Sequence, residues 1–335
     1  MLRIPHGRQQ NANSSAERPV VLLQHGLVMD ATAWVTNPAN ESLAFILADA
    51  GADVWLGNNR GNLYALNHTH LSPDDIEFWQ FSFDEMAKYD LPSMVRFALN
   101  VSKAEQMYYA GHSQGTTQAF AGFSEDQELG SLIKHFFALA PVARIGHAKS
   151  PYCKLAPFAK DFFAIFGRGR FIIEPRWLAY LQGDLCQKWG VPTICENILF
   201  VICGYDAKNL NRTRLPVYMS HVPDGTSTRN ELHWAQQVNS KQFRKYDYYS
   251  SEENMKHYNQ TTPPLYDPSK MKVPVSVFRG GNDWFADETD VSWLLPQLNV
   301  TKQIFCEDYE HLDMIWAMDV ATRMYKDIVN TIFGN

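Results

Sequence analysis

The sequence lacks long apolar runs and any excess of basic residues. Within the 335 residues no uninterrupted apolar run reaches the roughly 18 residues that a transmembrane helix needs, which excludes such a helix. The formal net charge is -6, with 30 Lys and Arg against 36 Asp and Glu, and the basic residues are scattered along the chain. A basic surface that binds nucleic acid is therefore not expected.

Cysteine is also scarce, and motifs for cofactors are absent from the sequence. Five cysteines are too few for a fold built on disulfides, so any bridge is local. Cys186 and Cys195 lie close together in the sequence, whereas Cys153, Cys203 and Cys306 have no obvious partners. Because there is no tight cluster of metal-ligating residues and no Gly-rich phosphate loop, we expect no metal and no organic cofactor.

Asn-X-Ser/Thr sequons are abundant, although the N-terminus shows no basic start followed by an apolar block. Random placement would give roughly two such sequons, and an excess is typical of secreted proteins, with chance as the alternative. The candidate glycosylation sites are Asn13, Asn40, Asn67, Asn100, Asn211, Asn259 and Asn299. The sequons therefore favour a location outside the cytosol.

The order of the apolar runs predicts an α/β core with an insertion. Continuously apolar, β-rich runs alternate with helix-length segments, which argues for a mostly parallel sheet covered by helices on both faces. Residues 144–268 break this rhythm because they are rich in Pro, Gly and aromatics, and they predict an irregular, mainly helical insertion. The alternation then returns, so we predict a core formed by residues 1–143 and 269–335.

The stretch YYAGHSQGTTQAF holds a serine between two glycines where an apolar strand gives way to a helix. Gly111, Ser113 and Gly115 fit the nucleophile elbow G-x-S-x-G. At so sharp a turn the serine has strained backbone angles, and larger side chains in place of the glycines would collide with the neighbouring strand and helix. An ordinary Gly-Ser turn is the alternative. We predict that Ser113 projects its hydroxyl above the sheet as a nucleophile.

A nucleophilic serine needs a base and an orienting acid, and the chain supplies both. Asp283, the predicted orienting acid, follows the strand VPVSVFRGG, at the end where open α/β sheets place their chemistry. Asp287 and Asp290 lie beyond that turn and fit better as solvated or helix-capping residues. His311, the predicted general base, follows the last strand, KQIFC. The order Ser, Asp, His is that of α/β-hydrolases.

Ester attack by a serine also needs two backbone N–H donors for the oxyanion. The residue after the nucleophile, Gln114, should supply one of them. The other should come from the loop after an early strand, where His25-Gly26-Leu27 resembles the HG motif of lipases and esterases. We assign this second donor to Leu27.

These motifs, together with FILADAGADVWLGNNRGN, FSFDEMAKYDLP, FFALAPVA, GGNDWFAD and EHLDMIWAMD, closely resemble the acid lipase family of gastric and lysosomal acid lipases. The likeness covers essentially the whole chain. It implies an α/β-hydrolase core with a cap, and hydrolysis of triacylglycerols or cholesteryl esters, often at acid pH. It implies the same triad and oxyanion donors. It also implies a disulfide between Cys186 and Cys195, with Cys203 free.

The sequence departs from that family at its N-terminus. Family members carry a signal peptide and a further segment before the motif RIPHGR, which here follows Met1 almost directly. We therefore expect the first strands of the sheet to be missing, which would expose a strand edge. An incomplete gene model, a trimmed product and a shortened cytosolic form are the possible reasons, and the sequons and the implied disulfide favour the first two. For the full-length protein we expect secretion or a lysosomal location.

Other functions stay open at this level. A short-chain carboxylesterase or a sterol esterase is the nearest alternative, and a catalytically silent lipid-binding protein on the same fold is the other. An intact triad in sequence order argues against the silent form. For the lipase we expect a monomer acting on neutral lipid at a lipid–water interface. The apolar stretches FAKDFFAIFG and IIEPRWLAYLQ are candidate faces of a mobile lid, with plain core packing as the alternative.

Overall fold

A seven-stranded sheet forms the centre of the protein, in a computed structural model that describes residues 1–8, 17–167, 169–172, 181, 184–186 and 191–334. In chain order the strands are β1 (Leu2–Ile4), β2 (Val20–Gln24), β3 (Asp53–Leu56), β4 (Met107–His112), β5 (Ile133–Leu139), β6 (Arg170–Phe171), β7 (Thr226–Ser227), β8 (Val275–Gly280) and β9 (Val300–Cys306). The order across the central sheet is β1-β3-β2-β4-β5-β8-β9. Neighbouring strands are parallel except for β1, which is antiparallel to β3.

Helices cover the sheet. The α-helices are α1 (Leu43–Ala50), α2 (Phe83–Glu85), α3 (Leu91–Ser102), α4 (Gln114–Glu125), α5 (Gln127–Ser131), α6 (Ala159–Phe166), α7 (Val191–Cys203), α8 (Leu215–Met219), α9 (Thr228–Ser240), α10 (Ser251–Tyr258), α11 (Glu288–Leu294), α12 (Asp313–Trp316) and α13 (Lys326–Phe333). Shorter 3₁₀ segments are Ala31–Trp34, Ile76–Trp79, Pro151–Phe158, Arg212–Arg214, Pro268–Lys270 and Leu295–Gln297. Two π-helical segments are Met86–Asp90 and Ala321–Tyr325. No helix among the described residues is long and apolar enough to cross a membrane.

The central strands are buried on both faces, as their continuous apolar runs predict. Every residue of β2, β3 and β4 is buried, and helices shield both sides of such a parallel sheet from water. The edge strand β9 is largely exposed. These features confirm the predicted α/β-hydrolase class, with one antiparallel strand added at the other edge.

The predicted crossover helix between β3 and β4 is present, and Pro92 does not break it. Pro92 is the second residue of α3, but residues 83–102 are helical without a break, since Asp90 before α3 also has helical φ and ψ of -69° and -50°. The π-helical segment Met86–Asp90 precedes α3 and joins it to α2. The Leu91 N–H donates to the Met86 carbonyl, five residues back, so the wider turn of the π-helical segment ends directly before the proline, which has no N–H to pair.

The order of the strands in the sheet reverses at β2. The next strand in the chain, β3, lies on one side of β2, and the strand after that, β4, lies on the other side. Gln24 at the end of β2 is paired with Gly111 near the end of β4. Ligand sites of open α/β sheets lie outside the carboxyl ends of the strands at such a reversal. The loops after β2 and β4 therefore open onto a common crevice.

An insertion separates β5 from β8, which are neighbours in the sheet. Its described part contains helices and the two-stranded antiparallel pair of β6 and β7. A disulfide joins Cys186 to Cys195, as the family resemblance implies. The exact limits 144–268 stay a prediction, and so does the expectation that strands are missing beyond β1.

Candidate active site

The elbow between β4 and α4 has the strained geometry that the sequence predicts. Ser113 has φ 53° and ψ -119°, a region that side-chain-bearing residues rarely adopt. A Cβ at Gly111 would lie 2.7 Å from the backbone of Gly115, and a Cβ at Gly115 would lie 2.5 Å from the carbonyl oxygen of Gln24. Both positions therefore need glycine. The Ser113 N–H donates to the Leu139 carbonyl at 3.1 Å, which ties the elbow to β5.

Three side chains, each from the turn or loop that follows a different strand, meet at this elbow. Nε2 of His311 lies 2.8 Å from Oγ of Ser113. Nδ1 of His311 lies 2.9 Å from both carboxylate oxygens of Asp283. With a proton on Nδ1, the imidazole donates to Asp283 and leaves Nε2 free to accept the serine proton. The structure thus brings together the three residues that the sequence analysis selected.

The carboxylate of Asp283 is fixed from both sides. Its Oδ1 accepts hydrogen bonds from the N–H groups of Phe285 at 2.9 Å and Ala286 at 2.8 Å. Asp283 is 3% exposed. Because these backbone donors and the His311 ring occupy its oxygens, the carboxylate is held in one orientation.

The two neighbouring aspartates have structural partners instead. Asp287 caps helix α11 by accepting the Thr289 N–H at 2.9 Å, as expected. Asp290 is buried and bonded to Arg144 and His147, both at 2.7 Å, so the expectation that it is solvated or caps a helix is wrong. No signal in the sequence marks these contacts, because Arg144 and His147 precede Asp290 by 146 and 143 residues.

Two further histidines, His112 and His25, lie beside the site, and their hydrogen bonds go to backbone groups of the neighbouring loops. Nε2 of His112 donates to the His311 carbonyl oxygen at 2.9 Å and so fixes the backbone of that loop. Burial, together with the nearby His311, lowers the pKa of His112 to about 3, which keeps it neutral. Nε2 of His25 accepts the Asn59 N–H at 3.1 Å. Burial lowers the pKa of His25 as well.

The loop after β2 passes against the serine. A Cβ at Gly26 would lie 3.1 Å from Cβ of Ser113, so this glycine lets the backbone approach closely. Leu27 follows it and is half-buried. Gln114 is the first residue of α4, where backbone N–H groups have no partner within the helix. The two predicted oxyanion donors thus lie next in the chain to residues of the site, since Leu27 follows Gly26 and Gln114 follows Ser113.

Helix α9 of the insertion holds the Gln114 side chain, which the sequence analysis missed. Oε1 of Gln114 accepts hydrogen bonds from Nδ2 of Asn230 at 2.8 Å and Nε1 of Trp234 at 2.7 Å. All three side chains lie in the buried interior. No signal in the sequence marks this contact, because more than a hundred residues, 116 and 120, separate the partners.

The sequons lie mostly at the surface. Asn13 lies outside the described residues. Asn211 is half-buried, and its Oδ1 accepts the Thr213 N–H and hydroxyl. The exposed sequon residues are Asn40, Asn67, Asn100, Asn259 and Asn299.

The three cysteines outside the disulfide, Cys153, Cys203 and Cys306, are buried. Among the described residues there is no group of three or more metal-ligating side chains placed to hold an ion.

Comparison with known proteins places this arrangement in a family. Residues 19–317 match the alpha/beta hydrolase fold family. The chain is 48% identical to human gastric triacylglycerol lipase, over 98% of this chain and 83% of the relative. It is 47% identical to human lysosomal acid lipase/cholesteryl ester hydrolase, over 98% of this chain and 82% of the relative.

Solved structures share the fold at much lower identity. Monoglyceride lipase from Saccharomyces cerevisiae, as a soluble variant, has a TM-score of 0.59 at 13% identity, covering 99% of this chain and 89% of that chain. Monoacylglycerol lipase from Paleococcus ferrophilus has a TM-score of 0.57 at 16% identity, covering 99% of this chain and 97% of that chain. On its sequence and its fold, the chain belongs to the acid lipase family of α/β-hydrolases.

Proposed function

We propose that the protein is a serine lipase that hydrolyses carboxylic esters of neutral lipids, triacylglycerols or cholesteryl esters, at acid pH. The observation that carries the proposal is the hydrogen-bonded chain from Ser113 through His311 to Asp283, with distances of 2.8 and 2.9 Å. Close relatives named triacylglycerol lipase and cholesteryl ester hydrolase support the substrate class. Their gastric and lysosomal names support secretion or a lysosomal location.

In the first half of the reaction, Oγ of Ser113 attacks the ester carbonyl carbon while Nε2 of His311 takes the hydroxyl proton. The carboxylate of Asp283 stabilises the imidazolium. The carbonyl oxygen becomes an oxyanion, which the backbone N–H groups of Leu27 and Gln114 stabilise. When the tetrahedral intermediate collapses, His311 gives the proton to the departing alcohol oxygen, and an acyl-enzyme remains.

In the second half, water replaces the alcohol. His311 takes a proton from the water as its oxygen attacks the acyl carbon. The second oxyanion uses the same two N–H donors. The bond between the acyl group and Oγ of Ser113 then breaks, the serine recovers its proton from His311, and the fatty acid leaves.

The insertion offers a surface for lipid. Helix α6 and the 3₁₀ segment before it expose Phe158 at 66%, Phe162 at 50% and Ile165 at 77%. This is the first of the two predicted lid faces; most of the second, IIEPRWLAYLQ, lies outside the described residues. Exposed apolar clusters of this kind are typical of binding surfaces. We infer that a monomer uses this surface to adsorb to the lipid–water interface.

The test is ester hydrolysis by the protein and its Ser113→Ala variant. With emulsified triolein, cholesteryl oleate and a soluble short-chain ester, we expect the variant to lose about 10⁶-fold in kcat, because the nucleophile is gone. Circular dichroism should show an unchanged fold. Preference for the emulsions identifies a lipase and preference for the soluble ester an esterase. A variant that turns over like the wild type would overturn the mechanism, and failure of the folded wild type to react with a fluorophosphonate would indicate a silent site.

A further inference from the structure

The segment that leaves β5 runs between the two loops that carry Ser113 and Asp283. In the sheet, β5 lies between β4, which leads into the nucleophile elbow, and β8, which precedes the acid loop, residues 281–287. Residues 140–150, here called the connector, continue from β5 into the insertion. Ala140 begins the connector with φ 48°, a left-handed conformation that persists only where the surroundings impose it. The contacts that fix the connector reach both loops.

The start of the connector is bonded to α4, the helix of the nucleophile. The Val142 N–H donates to Oγ1 of Thr116 at 2.9 Å, and the Val142 carbonyl accepts the Thr117 hydroxyl at 2.7 Å. The Thr116 hydroxyl in turn donates to the Ser113 carbonyl oxygen at 2.6 Å. Threonines in helices often bond back to an earlier carbonyl, but this buried hydroxyl also accepts an N–H from another segment. Thr116 therefore joins the connector to the backbone of the nucleophile.

The middle of the connector is bonded to α11, the helix that follows the acid loop. Asp290 in this helix is 3% exposed. Its Oδ1 accepts from Nε of Arg144 and Nδ1 of His147, both at 2.7 Å, and its Oδ2 accepts the His147 N–H at 2.8 Å. Cζ of Arg144 also lies 4.5 Å from the centre of the Trp293 ring. Because the carboxylate is buried and uses both oxygens, it holds the connector in one geometry.

The end of the connector is bonded to the acid loop itself. The Lys149 N–H donates at 2.8 Å to the carbonyl oxygen of Trp284, the residue directly after Asp283. On the other side of that residue, the Trp284 N–H donates to the Cys203 carbonyl oxygen at 3.2 Å, at the end of α7. The insertion thus holds the backbone beside Asp283 from two directions, and the connector supplies one of them.

We propose that the connector sets the position of the acid loop relative to the nucleophile elbow, and that Thr116 and Asp290 are the positioning residues that attach it on either side. The inference rests on the proposed function, because it takes Ser113 and Asp283 as members of one triad. Hydrogen bonds of 2.8 and 2.9 Å join these two residues through His311. Catalysis depends on such spacing, since a displacement of about 1 Å can lower the rate about 100-fold.

The experiment is a double-mutant cycle on the two attachments, in which kcat and KM on a soluble short-chain ester and the Tm are measured. Thr116→Val keeps the shape of the side chain but leaves the Val142 N–H unpaired, and we expect kcat to fall about fivefold at constant KM. Asp290→Asn offers one acceptor oxygen where the carboxylate uses two, so a bond to the connector is lost. Here we expect kcat to fall about tenfold, and a remaining activity because the Cys203 contact persists.

The double variant tests whether the two attachments act as one unit. Once either attachment is released, the connector no longer relates the positions of the two loops, so the second release should add little. We therefore expect kcat of the double variant to fall about tenfold, as in Asp290→Asn alone. Independent effects would multiply to about 50-fold.

Two controls separate this role from a general loosening of α4. Thr116→Ser retains the hydroxyl and should keep kcat near the wild-type value. Ser124→Ala removes a buried hydroxyl of the same helix, whose bond to the Ala121 carbonyl at 3.0 Å stays within the helix. It should leave kcat unchanged and show no coupling to Asp290→Asn. Should Asp290→Asn fail to fold, His147→Ala removes an exposed donor from the same carboxylate, and we expect an about threefold fall coupled to Thr116→Val.

The outcomes separate this inference from the proposed function. Unchanged kcat in folded Thr116→Val and Asp290→Asn proteins, beside an inactive Ser113→Ala, would overturn the positioning role and leave the lipase proposal standing. Losses that multiply in the double variant would overturn the connector as a single unit. A folded wild type that hydrolyses no ester would overturn the lipase proposal instead. In that protein, coupled losses of Tm would still support the connector as a link between the two loops, and additive losses would overturn it.

Discussion

The core and the insertion of this protein differ in how they place their side chains. In the core, Ser113, Asp283 and His311 each follow a strand of the central sheet, so backbone hydrogen bonds and glycine contacts fix their positions. The insertion exposes large apolar side chains on α6, yet it also buries Asn230 and Trp234 against the Gln114 side chain beside the site. The core thus holds the predicted triad, whereas the insertion packs behind it and carries the apolar surface proposed to bind lipid.

The largest effect should come from the core. Replacing Asp283 by Asn leaves a side chain of equal size whose Oδ1 stays bound to the Phe285 and Ala286 N–H groups. The amide N–H then faces Nδ1 of His311 and favours the tautomer with the proton on Nε2, so we expect kcat to fall about 10⁴-fold. Hydrolysis of a soluble ester measures the loss. Asp287→Asn is the matched control, because that residue caps α11 instead. Equal losses in the two variants would show that the assignment of the acid is wrong.

A smaller effect should come from the surface of the insertion. The double variant Phe158→Ser and Ile165→Ser removes two exposed apolar side chains, each of which contributes about 1.5 kcal/mol or more when fully buried. Because insertion into lipid is partial, we expect activity on emulsified triolein to fall about tenfold. Activity on a soluble ester should not change.

The control for that variant is Phe97→Ser, which removes a side chain of the core that is 54% exposed and packs edge-on against Trp55. It should leave adsorption to the emulsion unchanged. A similar loss of triolein hydrolysis in both variants would mean that general surface hydrophobicity, not the insertion, mediates adsorption.

The smallest effect should come from the contact between the two regions. Trp234→Phe keeps an aromatic ring against α4 but deletes the 2.7 Å hydrogen bond to Gln114. One such bond contributes about 1 kcal/mol, so we expect kcat to fall about fivefold while KM stays constant. The matched control is Trp55→Phe, which loses a comparable hydrogen bond from β3 to Oγ of Ser102 in α3. A KM effect instead of a kcat effect would show that Trp234 acts on substrate binding.

Much of the core could be predicted from the sequence because its signals are local. The apolar runs of β2 and β4 and the spacing of glycines around Ser113 follow from contacts within a few residues. The fold class was confirmed, and the predicted crossover helix forms despite Pro92, because a π-helical segment ends directly before the proline. The roles of the site residues stay predictions that the experiments above test.

What could not be predicted depends on contacts between distant parts of the chain. The sequence predicts that Asp290 is solvated or caps a helix, yet the residue is buried and bonded to Arg144 and His147. The anchor of Gln114 by α9 was missed for the same reason. Hydrogen bonds over such separations leave no periodic pattern in the sequence, since either partner alone could belong to any polar surface.

The sequence by itself determined the elements, their order and the identity of the three residues that meet at the elbow, because strand burial, turn chemistry and chain order are local properties. Only the tertiary structure decided which insertion residues reach the site and which partners the buried polar side chains find. Both outcomes depend on burial. A buried polar group has lost its hydrogen bonds to water, so it is stable only where another residue of the protein supplies a partner. That choice of partner is made when the insertion packs against the core.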